Sequence, residues 1–157
     1  MKINIGISEK TLMSSVSMLK LILSNEVVLY TKTRKAHWNV TGSSFMELHK
    51  LYQDQYSILE SSIDEIAERI GKLGEKTIGT MQEFLKHTSL KENAGKYTST
   101  KDTILELLND HETVIIQLRV FIEESSPKSK DAGTIDFLTG LMEQHETIAW
   151  ILRRYLH

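Results

Sequence analysis

A long segment without helix-breaking residues constrains the fold of this chain more than any other feature. Residues 45–70 contain no Pro and no Gly. Apolar side chains recur in this segment at helical spacing, at Leu48, Leu51, Tyr52, Tyr56, Leu59, Ile63, Ile66 and Ile70. Ser44 and Glu47 match a capping box at its start, and Gly71 and Gly74 are typical of a helix end. The sequence therefore predicts one continuous helix here.

The rest of the chain is also poor in helix breakers, because its 157 residues include a single Pro, Pro127. Apolar residues at helical spacing predict three further long helices, over residues 8–36, 100–124 and 132–156. The connection over residues 71–99 is too long to lack structure of its own, and a short extra helix is predicted at residues 79–87. We therefore expect an all-α fold, a ferritin-like four-helix bundle formed by a single domain, residues 1–157.

Composition excludes several classes of protein. The net charge of −2 and the pI of about 6.3 do not predict a nucleic-acid-binding surface. The absence of Cys excludes disulfides and thiolate metal sites, and it fits a reducing compartment. No secretory signal is evident at the N-terminus, and the longest apolar clusters are too short to span a membrane. We therefore expect a soluble cytoplasmic protein.

Two imidazoles and two carboxylates in the first half of the chain form a plausible set of metal ligands. They belong to His37, His49, Asp64 and Glu68. Asp64 and Glu68 are four residues apart, so they share one face of the predicted helix and can bind one ion together. His49 lies on the same helix about 22 Å before Asp64, at a rise of 1.5 Å per residue. Because ligands lie within about 2.0–2.6 Å of a metal, one chain cannot join His49 to these carboxylates.

A second copy of the chain removes this difficulty. If two copies pair antiparallel about an axis near Tyr56 and Ser57, the His49 end of one helix lies over the carboxylate end of the other. A two-fold dimer forms two identical sites in this way. His37, at the end of the preceding helix, can approach the same place as His49. The sequence therefore predicts metal sites that two subunits share.

The usual metal site inside a ferritin-like bundle is absent from this sequence. Di-iron bundles commonly carry a Glu-x-x-His motif on each of two helices. The residues three positions before each His are Arg34, Met46, Phe84, Leu108, Met142 and Arg154, and none of them is Glu. The candidate ligands must therefore act between subunits or not at all.

One extended motif is more specific than these pairs. It consists of His37-Trp38-Asn39-Val40-x-Gly42-x-x-Phe45, then Leu48-His49, and then Asp64-x-x-Ala67-Glu68-Arg69. This motif resembles that of the Dps family, the small dodecameric ferritins named for protecting DNA in starved cells. The resemblance covers essentially the whole chain, and it includes Asp110-His111-Glu112 and His145-Glu146-x-x-Ala149-Trp150 in the last two helices.

The resemblance implies a hollow homododecamer built from two-fold dimers, with a ferroxidase site at each dimer interface. One subunit would supply His37 and His49, and its mate would supply Asp64 and Glu68. Fe2+ would be oxidised there, mainly by hydrogen peroxide, and the Fe3+ mineral would be stored in the cavity, which protects DNA from oxidative damage. Mixed imidazole and carboxylate ligands suit Fe2+, and Zn or Mn could use the same site.

Two positions near these ligands modify the expectation. Many family members carry Asp or Glu four residues after the second His, where this chain has the neutral Gln53. We therefore expect a second iron to bind more weakly, because Asp54 points about 100° away along the helix. Trp38 is similar to the family tryptophan near the site, and it could donate an electron when oxidation is incomplete.

Simpler structural roles remain open for several of these residues. Asp64 and Glu68 could form a solvated helix face, and Trp38 could serve packing alone. His111 and His145 are each followed by Glu and look like metal ligands, but histidines on an apolar stripe are more often core or interface residues. Only the combination of the four ligands with the full motif favours the metal site.

Asp131 and Asp136 also have two interpretations. Both lie at the start of the fourth predicted helix, where acidic residues complement the helix dipole. The resemblance additionally places acidic residues of this region near three-fold pores that admit Fe2+. Either role is compatible with the sequence.

Direct DNA binding is expected to be weak. Family members that condense DNA commonly use mobile tails rich in Lys or Arg, whereas this chain has only Lys2 before its first predicted helix. A shell of acidic pI binds polyphosphate weakly at physiological salt. The alternative function is a nucleoid-associated structural protein that compacts DNA with little iron turnover.

Overall fold

The computed structural model describes residues 3–125 and 131–156, and regular secondary structure in these residues is entirely helical. Five helices follow one another, namely α1 (Glu9–Asn39), α2 (Phe45–Lys72), α3 (Met81–His87), α4 (Thr100–Ser125) and α5 (Ala132–Arg154). This confirms the predicted all-α fold of four long helices with a short helix in the long connection. The predicted loop around Pro127 lies outside the described residues.

Two helical hairpins build the bundle. Helix α1 packs along α2 and helix α4 packs along α5, while α1 also contacts α3 and α4. The largest side chains without solvent exposure come from all four long helices, and they include Leu19, Ile22, Leu29, Tyr52, Leu59, Ile66, Leu118 and Leu152. Burial of this apolar face stabilises helices of this length more than intrinsic helix propensity does.

Helix α1 is more apolar than its short clusters suggested. It contains an 18-residue window with a mean hydropathy of 1.4, which meets the length and composition of a membrane span. However, 67% of that window is buried inside the bundle. Because α1 is in contact with three other helices, apolar residues occupy most of its circumference. Its composition is therefore that of a core helix.

The start of α2 differs from the prediction. Ser44 occupies the N-cap position, but its side chain makes no capping hydrogen bond. Glu47 instead accepts a hydrogen bond of 2.6 Å from the Tyr155 hydroxyl. The predicted capping box is therefore wrong. A complete capping box forms at α3, where the side chains of Thr80 and Glu83 each accept from the other's backbone N–H.

The end of α2 depends on Gly74 rather than on Gly71. The helix continues through Gly71, and Gly74 has a φ of 88°. The Gly74 N–H donates to the Gly71 carbonyl (2.9 Å) and the Glu75 N–H donates to the Ile70 carbonyl (3.3 Å), which is a Schellman motif. A Cβ at Gly74 would lie only 2.8 Å from Ile3, so both the backbone conformation and the space favour glycine.

Candidate metal centre

The two predicted histidine ligands lie side by side where α1 and α2 meet. Helix α1 extends to Asn39, three residues beyond the predicted end, so His37 lies on its last turn. Because α1 and α2 are antiparallel and joined by a short turn, His49 faces it from the start of α2. The two rings stack, with centroids 3.7 Å apart and planes 21° from parallel. The Phe45 ring lies 5.0 Å from the His49 ring, and the Tyr56 ring lies 5.3 Å from the His37 ring.

Reciprocal hydrogen bonds fix the orientation of both imidazoles. The Nδ1–H of His37 donates to the backbone carbonyl of His49 (2.8 Å), and the Nδ1–H of His49 donates to the carbonyl of His37 (3.0 Å). A carbonyl oxygen only accepts, so each Nδ1 must carry a proton. In the neutral imidazole the lone pair is then on Nε2. Hydrogen bonds of this kind orient metal-binding histidines. Here they leave the Nε2 lone pair of each histidine available to bind a metal ion.

The carboxylates of Asp64 and Glu68 lie exposed at the other end of α2. The Glu68 carboxylate accepts a hydrogen bond of 3.0 Å from Lys72. The rise along α2 separates Asp64 from His49 by about 22 Å. Within residues 3–125 and 131–156 of one chain, no three His, Asp or Glu side chains are arranged to hold a metal ion. The two histidines and the two carboxylates of one subunit are therefore too far apart to bind the same ion.

Gln53 lies on the same face of α2 as the carboxylates. At about 100° per residue, the directions of Gln53, Asp64 and Glu68 fall within about 60° of one another. Gln53 is exposed. The neighbouring Asp54 lies about 140° from His49 around the helix and forms an ion pair with Lys50. Gln53, rather than Asp54, is therefore the residue one turn after His49 that faces the candidate site.

A cation surrounded by aromatic rings lies next to the histidine pair. The Arg34 guanidinium is 4.8 Å from the Tyr56 ring centroid and 5.2 Å from that of Trp38. It also donates a hydrogen bond of 2.6 Å to the Tyr30 hydroxyl. No sequence motif marks Arg34, but Tyr30, Arg34 and Trp38 are spaced by four residues and so share one face of α1. Trp38 is 64% exposed in the subunit, so packing within one chain does not account for it.

The two acidic residues near the start of α5 have different environments. Asp131 is 1% exposed. Its carboxylate accepts hydrogen bonds from Ser15 (2.7 Å), from Arg69 (3.1 Å) and from the backbone N–H of Thr134 (3.1 Å), so it caps α5 and ties the helix to α1 and α2. Asp136 is exposed on the first turns of α5. Only Asp136 therefore remains available for the pore role that the resemblance implies.

Comparisons with known proteins identify the family of this chain. Residues 16–157 match the family model of the ferritin-like domain. The chain is 42% identical to an uncharacterized low temperature-induced protein of Nostoc, over 99% of this chain and 87% of that protein. It is 37% identical to the DNA protection during starvation protein 2 of Bacillus anthracis, over 83% and 88% of the two chains. The crystal structure of a Dps protein from Vibrio cholerae, described as a member of the ferritin-like diiron-carboxylate superfamily, matches with a TM-score of 0.92, 27% identity and coverage of 100% and 98%. The chain belongs to the Dps family of ferritin-like proteins.

Proposed function

We propose that this protein oxidises Fe2+ at sites shared by two subunits and stores the Fe3+ product inside a hollow shell. The observation that carries this proposal is the stacked pair of His37 and His49, whose Nδ1 atoms are both held by backbone carbonyls. Two oriented nitrogen donors at one end of α2 and two exposed carboxylates at the other are complementary halves. Antiparallel pairing of two copies would complete two identical sites. Mixed nitrogen and oxygen ligands suit Fe2+, and carboxylates stabilise Fe3+.

Exposed apolar side chains near His37 and His49 support a second copy of the chain as the partner. Trp38 is 64% exposed and Met46 is 73% exposed, at the end of α1 and the start of α2. On α3, which packs against α1 and has no buried residue, Met81 and Leu85 are 61% and 57% exposed. Contiguous exposed apolar surface marks interaction sites on soluble proteins, and Trp38 and Met46 lie beside His37 and His49. We propose that these residues lie in the two-fold interface of a twelve-subunit shell.

The electron balance gives Gln53 and Trp38 their proposed roles. Two Fe2+ ions, one hydrogen peroxide and two protons yield two Fe3+ ions and two waters as the O–O bond breaks. A site that holds one Fe2+ supplies only one of the two electrons. The second must come from another iron, which the neutral Gln53 attracts weakly, or from an oxidisable side chain. We propose Trp38 as that side chain, because it directly follows the ligand His37.

The substitution Gln53→Asp is expected to tighten binding of the second iron by about tenfold, because it adds one negative charge to each site. Titration of the assembled protein with Fe2+ under anaerobic conditions should then saturate at two ions per site, whereas the wild type should show one tight ion. The matched control is Asp54→Asn, which changes the charge of the adjacent residue, about 140° from His49 around α2 and paired with Lys50. An unchanged stoichiometry in Gln53→Asp would contradict the role assigned to Gln53.

The rival function is compaction of DNA. Measuring iron oxidation and DNA binding on one preparation distinguishes it from the proposed iron storage. We expect Fe2+ and hydrogen peroxide to be consumed together and ferric mineral to accumulate, while DNA mobility in a low-magnesium gel stays unchanged. The net charge of −2 per chain supports weak binding to phosphate. Retardation of DNA without iron uptake would favour the rival. We propose a cytoplasmic location, in keeping with the lack of Cys.

The identity of the metal requires its own experiment, because imidazole and carboxylate ligands also accept Zn and Mn. Anomalous scattering from crystals grown with equal concentrations of Fe2+, Zn2+ and Mn2+ would identify the ion at the two-fold interface. We expect iron there under anaerobic conditions. A site that holds only Zn or Mn would contradict the proposed ferroxidase activity and leave the shared geometry intact.

A further inference from the structure

Three ionisable side chains with no solvent exposure meet in the core of the bundle. Glu26 on α1, His145 on α5 and His111 on α4 are each 0% exposed. His145 Nδ1 lies 2.8 Å from His111 Nδ1 in a hydrogen bond, and His145 Nε2 lies 2.7 Å from Glu26 Oε1, which is within ion-pair distance but without the geometry of a hydrogen bond. His145 is therefore the central member of a chain that joins three helices. The proposed iron chemistry uses none of these residues.

The contacts determine where protons can lie. Two nitrogen lone pairs repel, so the contact between His145 Nδ1 and His111 Nδ1 requires one proton between them. The close approach of His145 Nε2 to the Glu26 carboxylate requires another. If only these two protons are present, both histidines are neutral and the core holds one net negative charge. One additional proton makes His145 an imidazolium that directs its Nε2–H towards Glu26 and donates its Nδ1–H to His111 Nδ1. The proton of neutral His111 then lies on its Nε2, which has no hydrogen-bond partner among the described residues, and the three side chains together carry no net charge.

The surroundings favour the state in which Glu26, His145 and His111 together carry no net charge. No Lys or Arg is buried in the part of the chain that the structure describes. Glu26 is the only buried carboxylate of α1, and His37 is the only other buried ionisable residue of that helix. On α2 the only one is Tyr52, whose pKa is raised to about 12 by burial, and α3 has no buried residue. Without another cation nearby, His145 is the group that can compensate Glu26, because an unpaired buried carboxylate is strongly destabilising.

The remaining charges on these helices are paired near the surface. Lys32 pairs with both Glu106 and Asp110, so this group of three carries one net negative charge near the surface. Ion pairs also join Arg119 to Glu146 and Arg153 to Glu112, and these two pairs are neutral and well exposed, so water screens their effect on the core. His145 and His111 are also the only buried ionisable residues of α5 and α4 among those described, apart from Asp131 at the N-cap of α5. The charge state of the core is therefore determined mainly by the triad of Glu26, His145 and His111.

We propose that Glu26, His145 and His111 form a buried proton-binding site that holds one positive charge on His145 at neutral pH, and that a second proton, on His111, opens the bundle in acid. A second proton would place two cations next to each other in the core. It would also face the Nδ1–H of His145 with a second N–H donor, so the hydrogen bond between α4 and α5 would be lost.

The acid response has a definite sign. Burial, together with the positive charge of His145, lowers the pKa of His111 well below its usual value of 6.5. In the unfolded chain His111 regains that ordinary pKa. Its contribution to stability is therefore complete above about pH 6.5 and is lost as the pH falls through the lowered pKa of the folded state. In that window unfolding takes up one proton at His111, so each pH unit favours unfolding about tenfold.

The variant His111→Asn tests this response in the assembled protein. The Asn oxygen can accept from His145 Nδ1–H as His111 Nδ1 does, but it does not titrate. Urea unfolding of the wild type, measured stepwise from about pH 7 to about pH 5, should show about one more proton taken up than in His111→Asn. The matched control is His87→Asn, at an exposed histidine of α3, which should leave the wild-type pH dependence intact. Equal pH dependence in His111→Asn and the wild type would overturn the proposal.

Isotope-labelled imidazole NMR of the sedimented shell tests the charge on His145 directly. At about pH 8, histidines of ordinary pKa are neutral, so one doubly protonated imidazole should persist in the wild type. It should disappear in Glu26→Gln, which keeps the shape of Glu26 and removes its charge, and persist in the control Glu65→Gln on the exposed face of α2. Two neutral buried imidazoles would overturn the assignment. A tightly bound metal ion that is present in the wild type and lost in Glu26→Gln would also overturn it.

Discussion

Replacement of His49 or of Asp64 by Ala is expected to slow Fe2+ oxidation by at least about 100-fold, because loss of even an outer partner of a metal ligand costs 10–100-fold. His49 provides one of the two oriented nitrogen donors, and Asp64 provides one of the two carboxylates that share a face of α2. Stopped-flow absorbance of the ferric product in the assembled protein measures the rate. Since both side chains are at the subunit surface, the folded bundle should be preserved.

Mixing the two inactive variants is the sharper test of a shared site. In a mixed dimer one site combines both defects, while the other combines the intact His49 of one subunit with the intact Asp64 of its partner. A mixture in equal amounts, dissociated and reassembled, should contain mixed dimers as about half of all dimers and recover about a quarter of the wild-type sites.

Two control variants and a check of subunit mixing complete the mixing experiment. His87→Ala removes an exposed His of α3, and Glu65→Ala removes an exposed Glu that points about 100° away from Asp64 around α2, so both should retain the wild-type rate. Mass spectrometry of the reassembled dimers establishes that the subunits have mixed. If mixed dimers are present and no activity returns, the ligands of one site do not come from two chains.

Local features of the sequence predicted most of the fold and the positions of the candidate ligands along it. The absence of breakers from residues 45–70 and the spacing of their apolar side chains were sufficient for α2, because helical periodicity is a local property. The separation of His49 from Asp64 along that helix followed from the helical rise alone. The stacking of His37 on His49 required in addition only that α1 and α2 form an antiparallel hairpin with a short turn.

Features that depend on residues distant in sequence could not be predicted from local patterns. Ser44 and Glu47 match a capping box locally, but Glu47 accepts from Tyr155, which is 108 residues later in the chain. Asp131 matched both an acidic residue at a helix start and a pore residue, and only its contacts with Ser15 and Arg69 show it to be buried. The triad around His145 was equally hidden, because its three residues come from three helices.

Replacement of Asp131 by Ala is expected to lower the free energy of unfolding by about 3 kcal/mol, which combines loss of an N-cap with loss of a largely buried ion pair. Asp131 accepts from Ser15 and from Thr134, and its ion pair with Arg69 joins α5 to α2 at 3.1 Å. Removal of the carboxylate leaves these donors without their acceptor and Arg69 without its counter-ion. Urea unfolding at about neutral pH, at equal protein concentration, measures the loss.

The pH dependence of this loss separates the charge of Asp131 from its role as a cap. Burial acts to raise the pKa of Asp131, but the hydrogen bonds from Thr134 and Ser15 and the charge of Arg69 outweigh it and hold the pKa below its usual 3.8. The charge therefore stabilises the fold above that pH, and the advantage of the wild type over Asp131→Ala should shrink as the pH falls below about 4. Asp131→Asn keeps a cap without charge, so it should lose only about half as much stability. Equal losses in the two variants would show that the charge of Asp131 accounts for the whole effect and its role as a cap for none of it.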